Sequence, residues 1–135
     1  MTMKAWSATT LRKEQTRMRN NLLSESELAF AQIIWEREPI RSGELAVLCN
    51  EQFGWKKSTT YTVLKNLCNA GIFQNQKSIV TSLVSQKQYG TIESTQIVER
   101  HFDGSLSSFV TAFAGGEKLS KKQIESLKQI IEEYE

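Results

Sequence analysis

The sequence predicts a mainly α-helical protein that contains one short β-hairpin, and three observations predict this fold class. Apolar residues recur at the 3.6-residue helical period in six segments. The first three segments are separated only by tight turns, as in a helix-turn-helix. Two short β-compatible runs lie between the third segment and the fourth. We therefore expect a winged helix over residues 22–84 and a second helical region over residues 85–135.

The first helix begins at a capping box. Ser24 and Glu27 are three residues apart, so each side chain can bond the backbone N–H group of the other residue. The apolar stripe behind this box continues to about Arg37, and Pro39 stops the helix.

Two shorter helices follow in quick succession. Ile40 and Arg41 can form a short strand, after which Ser42 is predicted to cap the second helix. Gly54 suits the reversal at the end of that helix. The third helix covers about Ser58 to Asn69.

The wing is predicted from the two β-compatible runs. Ile72 to Gln76 and Ile79 to Val84 form its strands, and Lys77 with Ser78 forms a two-residue turn that lacks glycine.

The tail contains three more helices with apolar faces. The last of them repeats the capping box with Ser120 and Gln123. Three short helices cannot bury such faces alone, so we expect a homodimer, the alternative being that the tail folds back on its own head. The residues predicted at the dimer interface are Tyr89, Ile92, Leu106, Phe109, Val110, Phe113, Ile124, Leu127 and Ile131.

Charge is distributed unevenly along the chain. There is no Asp or Glu between Glu51 and Glu93, a stretch that contains five lysines and is called here the acid-free window. A surface that faces phosphates needs this composition, although a chance gap in acidic residues is the alternative. Residues 1–21 form a basic leader, which we expect to be disordered and which could otherwise be an arm that reaches DNA.

The second helix of a helix-turn-helix enters the major groove of DNA, and its first residues reach the base edges. In this chain that helix is the third one, and the acid-free window contains it. Threonine and asparagine can contact bases, while lysine neutralises phosphates. The predicted DNA-binding residues are Lys56, Lys57, Ser58, Thr59, Tyr61, Thr62, Lys65 and Asn66, with Lys77 in the wing.

Other classes of function have little support in the sequence. His101 is the only histidine, and no nucleophile or pair of carboxylates is recognisable, so we expect no catalysis, no cofactor and no metal site. Cys49 and Cys68 fit buried, reduced thiols. We find neither a secretory signal nor a stretch of the roughly 18 apolar residues that a membrane span needs, so we expect a cytoplasmic protein without a membrane partner.

The chain also resembles a known family. The segments LLSESELAFAQIIWEREPI, GELAVL, W-x-x-x-T-x-x-T-x-L-x-x-L, LVSQKQY, FDGSLSSFVTAF and EKLSKKQIESLKQII follow one another over residues 22 to about 131. They are similar to the penicillinase and methicillin-resistance repressor family, which also includes copper-transport repressors. The resemblance implies a homodimer that binds a near-palindromic operator, with base and phosphate contacts at Ser58, Thr59 and Thr62.

The chain departs from the family pattern at several positions. Asn66 stands where members often have an arginine that binds phosphate, and Lys56 stands where a capping serine is usual, so Ser58 is expected to supply a later cap. The hairpin is shorter than usual and lacks the glycine-arginine tip. Ala112 and Phe113 match the asparagine-phenylalanine bond that a protease cuts in antibiotic-responsive members.

Together these observations predict a repressor that occupies a promoter, with an unidentified sensor or protease as a further partner. No cysteine follows Cys68, so copper sensing is not expected. The alternative function is a winged helix that docks onto another protein instead of DNA.

Overall fold

The computed structural model describes residues 22–116 and 118–135, so the predicted leader lies outside the described residues. The predicted mainly α winged helix is confirmed. The elements in chain order are α1 (Glu25–Arg37), β1 (Ile40–Arg41), α2 (Ser42–Phe53), α3 (Lys57–Asn69), β2 (Phe73–Gln76), β3 (Ile79–Ser82), α4 (Gln86–Phe102), α5 (Leu106–Gly116) and α6 (Lys121–Glu133).

The chain divides into two compact units, and the division falls between Gln96 and Ile97, inside α4. The predicted boundary between residues 84 and 85 precedes α4. The first turns of this helix pack into the first unit, because Tyr89 and Ile92 belong to its hydrophobic core.

The capping box of α1 forms as predicted. The Ser24 hydroxyl accepts a bond from the Glu27 N–H group at 3.2 Å, and the Ser24 N–H group donates to Glu27 Oε1 at 2.9 Å. The helix ends at the predicted Arg37, because Pro39 follows the C-cap residue Glu38.

The three strands form one antiparallel sheet in the order β1-β3-β2. In this register Ile79 of β3 lies between Arg41 of β1 and Gln76 of β2. The predicted hairpin is confirmed, and its turn places Lys77 at φ 52° and Ser78 at φ 64°. Two consecutive residues with positive φ are the geometry of a type I′ turn, whose twist matches that of the flanking strands.

Ser42 does not cap α2, contrary to the prediction. The N-cap residue is Arg41, whose side chain makes no capping bond, and Ser42 is the first residue of the helix. The physical reason is that β1 runs directly into α2. The N–H group of Ser42 therefore turns toward the wing and donates to the Ser78 carbonyl at 2.9 Å.

The core of the first unit collects apolar side chains from α1, α2, α3, the sheet and α4. It is built around Phe30, Ile34, Leu45, Leu64, Ile72, Phe73, Val80 and Ile92.

Two side chains predicted for the dimer interface belong to this core instead. Ile92 is fully buried and Tyr89 is 2% exposed, so neither is available to a second chain. The Tyr89 hydroxyl accepts a bond from the Leu23 N–H group at 2.8 Å, and its ring lies 5.8 Å from that of Trp35. Burial raises the pKa of Tyr89 to about 12.

The second unit exposes apolar surface. The predicted capping box of Ser120 and Gln123 forms at the start of α6. Neither α5 nor α6 contains a buried residue, and an apolar groove of about 440 Å³ lies between them. This exposure matches the prediction that these helices cannot bury their own faces.

None of the helices within residues 22–116 and 118–135 combines the length and the apolar character that a bilayer span requires.

Candidate nucleic-acid interface

The turn between α2 and α3 is fixed by its backbone and by one side chain. Gly54 adopts φ 70°, and its N–H group bonds the Asn50 carbonyl at 2.9 Å. The Asn50 side chain then donates to the Trp55 carbonyl at 3.0 Å. The Trp55 ring stacks on that of Phe30, 5.8 Å away. These contacts set the direction in which α3 leaves the turn.

The helix α3 has one buried face and one exposed face. Thr60, Leu64 and Leu67 point into the core. All eight site residues predicted for this region lie on α3 or at its N-cap. Seven of them are exposed and Tyr61 is half-buried. The structure therefore brings these predicted residues together on one element.

The first turn of α3 contains no acidic residue and has no side-chain cap. Lys56 is the N-cap residue and the helix begins at Lys57, so the predicted later cap at Ser58 is wrong. Backbone N–H groups at an uncapped helix start are left to solvent or to an anion, and the helix dipole favours a negative charge there. The start of α3 thus suits a DNA phosphate.

The hydroxyl of Thr62 has a defined role within the helix. It donates its proton to the Ser58 carbonyl, with Thr62 Oγ1 at 3.0 Å. The Thr62 side chain as a whole is exposed. Thr62 can therefore accept a bond from the amino group of adenine or cytosine, or contact a thymine methyl group.

Lys57 lies beside an aromatic ring. Its Nζ atom is 5.8 Å from the ring centroid of Tyr61, within the range of a cation–π contact. This contact holds the ammonium group close to the helix start while leaving it solvated.

The wing presents the remaining predicted residue, Lys77, which is exposed at the tip of the hairpin on a different element from α3. The structure adds a cation that sequence reasoning missed. Arg41 is exposed on β1, opposite Ile79 and therefore next to the Lys77–Ser78 turn in the sheet. A pairing between residues so distant in sequence leaves no local signal, and Arg41 lies outside the acid-free window.

Cys49 in α2 is buried, whereas Cys68 in α3 is only half-buried. Burial raises the pKa of both the Cys49 and the Cys68 thiol, which favours their protonated form. In the part of the chain that the structure describes, no three His, Cys, Asp or Glu side chains are grouped so that they could hold a metal ion.

Comparison with known proteins identifies the family. The penicillinase repressor family matches residues 23–133, which run from the residue before the cap of α1 to the end of α6. The chain belongs to this family. It is 27% identical over 116 residues to the penicillinase repressor of Bacillus licheniformis. The aligned region covers 83% of this chain and 91% of that protein. It is 25% identical over 113 residues to the methicillin resistance regulatory protein MecI of Staphylococcus aureus. The aligned region covers 81% of this chain and 92% of that protein.

The penicillinase repressor family consists of regulatory repressors and not of enzymes. The resemblance seen in the sequence is therefore confirmed at the level of the family. The matched residues include both compact units. Both α3 and the groove between α5 and α6 therefore lie within the part of the chain that matches the family.

Proposed function

We propose that this protein is a DNA-binding transcriptional repressor, and that two copies of it bind a near-palindromic operator through α3. The observation that carries the proposal is the exposed, carboxylate-free face of α3, held by a helix-turn-helix whose turn is fixed. Membership of the penicillinase repressor family supports it. In this proposal residues 22–84 bind DNA and residues 85–135 join the two copies, except for the part of α4 that packs into the first unit.

The residues of α3 divide by chemistry into two groups. Lysine can neutralise phosphates but carries little sequence information, so we assign Lys56, Lys57 and Lys65 to the DNA backbone. Thr59, Thr62 and Asn66 carry the donors, acceptors and methyl groups that distinguish base pairs in the major groove. We assign sequence preference to these three.

The homodimer is proposed to form through the second unit. Phe109, Val110, Phe113 and Leu127 line the groove between α5 and α6. Ile131 is 59% exposed and Leu106 is 66% exposed, although both are strongly apolar. An exposed apolar surface of this extent marks an interaction site, and an identical copy can supply the complementary face.

Release of the operator is proposed to follow loss of the dimer. An unidentified sensor or protease that acts on the second unit would cause such a loss. Cleavage between Ala112 and Phe113 in α5 is not part of this proposal, because alanine stands where the cleaved bond of the family has asparagine.

The experiment that tests the function measures binding of the purified protein to duplex DNA from its own promoter and to a scrambled duplex, at several salt concentrations. A repressor that reads sequence prefers the promoter duplex, and its affinity falls steeply as salt increases. Equal affinity for both duplexes at every salt concentration would refute sequence-specific repression. That result would favour a winged helix that docks onto a protein.

A further inference from the structure

The wing and the first helix of the helix-turn-helix meet at one corner of the first unit. The Ser42 N–H group at the start of α2 donates to the Ser78 carbonyl in the wing turn, at 2.9 Å. Beside this bond, Arg41 pairs with Ile79 across the sheet. The start of α2 and the tip of the wing are therefore held together by backbone bonds, with Arg41 and Lys77 on the two adjoining segments.

Among the residues that the structure describes, none bonds the side chain of Arg41. Its strand neighbour Ile40 is buried in the core, so the alternation along β1 directs Arg41 to solvent. Arg41 is the N-cap residue of α2 but makes no capping bond, and it forms no ion pair with any residue that the structure describes. Of the nearby acids, Glu38 is bonded to Ser82, and Glu44 is exposed in the first turn of α2.

In a helix-turn-helix the first helix crosses the DNA backbone while the second lies in the major groove. Here the first helix is α2, and Arg41 immediately precedes it. We propose that Arg41 is a DNA-backbone contact, which together with Lys77 forms a phosphate-binding edge separate from the reading face of α3. This inference rests on the proposed function and extends it to a second surface whose partner is the sugar-phosphate backbone.

The test compares Arg41→Gln with the unsubstituted protein in fluorescence titrations against promoter and scrambled duplexes. We expect binding to both duplexes to weaken several-fold, with an unchanged ratio between them, because a phosphate contact carries no sequence information. The slope of log affinity against log salt should become shallower by about 1.8, because each of the two copies loses one phosphate contact and each contact contributes about 0.9. In the double variant Arg41→Gln with Lys77→Gln, the change in this slope should be about twice that of Arg41→Gln alone.

Arg37→Gln is the matched control, because Arg37 is an exposed arginine in the last turn of α1. The proposal is overturned if Arg41→Gln leaves the salt dependence of binding unchanged. It is also overturned if Arg41→Gln and Arg37→Gln weaken DNA binding equally. In that case Arg41 only shields the edge of the sheet from other strands. If the unsubstituted protein binds no duplex, the proposed function fails and this inference fails with it.

Discussion

The carboxylate of Glu38 accepts hydrogen bonds from both the N–H group and the hydroxyl of Ser82, at 2.9 and 2.8 Å. Glu38 is the C-cap residue of α1 and Ser82 ends β3, so these bonds tie the first helix to the base of the wing. A second bond acts nearby, where Trp35 Nε1 donates to the Val84 carbonyl at 3.0 Å. The wing is thus attached to α1 at the end of its second strand.

Replacing Glu38 with Gln should destabilise the first unit, because the amide keeps one acceptor oxygen for Ser82 but removes the negative charge that strengthens both hydrogen bonds. We expect the free energy of unfolding to fall by about 1 kcal/mol, the difference between a hydrogen bond to a charged group and one to a neutral group. Urea denaturation at one fixed protein concentration measures the change. Glu36→Gln is the control, because Glu36 is exposed on the same helix. Equal effects of the two substitutions would show that the charge on Glu38 does not strengthen its hydrogen bonds to Ser82.

Replacing Thr62 with Ala should reduce the preference for promoter over scrambled DNA by about 1–3 kcal/mol for each bound copy, the usual loss for one base contact. Thr62→Val separates the two roles of the side chain, because valine keeps the methyl group and loses the hydroxyl. The preference is measured as the ratio of two dissociation constants. Thr91→Ala is the matched control, since the exposed Thr91 hydroxyl makes the same bond four residues back, to Lys87. An unchanged preference in Thr62→Ala would place the reading surface elsewhere.

If the proposed dimer forms through the second unit, replacing Ile131 with Glu should yield monomers. Ile131 is 59% exposed in the single chain, so a carboxylate there is harmless to one subunit but is buried without a partner in the dimer. Analytical ultracentrifugation gives the mass of the species in solution. Gln129→Glu adds the same charge on the opposite side of α6 and should leave the dimer intact. A dimeric Ile131→Glu variant would contradict the assigned interface.

The buried Tyr89 predicts a loss of stability at alkaline pH. Its pKa is raised to about 12 in the folded protein and is about 10 in an unfolded chain. Between these values the unfolded chain loses the phenol proton while the folded protein retains it, so the free energy of unfolding falls as pH rises from about 10 to about 12. The stabilising contribution is complete below pH 10.

Tyr89→Phe checks this prediction. The variant should lose part of its stability at neutral pH, about 1 kcal/mol, because the Leu23 N–H group loses its acceptor. Its free energy of unfolding should then decrease less between pH 10 and 12 than that of the unsubstituted protein. Parallel pH profiles for the two proteins would contradict the burial of a protonated Tyr89.

Local signals predicted most of the fold. The capping boxes at Ser24 and Ser120 form as predicted, because each involves only residues three positions apart. The end of α1 before Pro39 and the left-handed Gly54 follow from single-residue conformational limits. The face of α3 was predicted because the helical period alone separates its polar residues from Leu64 and Leu67.

Apart from the cap at Ser58, the errors concern residues whose neighbours are distant in sequence. Ser42 has the composition of a cap, but the pairing of β1 with β3 makes it the first helical residue and turns its N–H group toward Ser78. Tyr89 and Ile92 carry the same apolar pattern as the residues of α5 and α6. Periodicity shows that a face is apolar but does not show what covers it.

By itself the sequence determined the order of the helices and the hairpin, the polar face of α3, and the family resemblance, because capping, periodicity and turn chemistry act over a few residues. Only the tertiary structure decided that Tyr89 lies against Leu23 and Trp35 and that Arg41 lies beside the wing turn. These relationships join elements that are far apart along the chain. They exist because burial of the common core and the hydrogen bonds of the sheet bring those elements together.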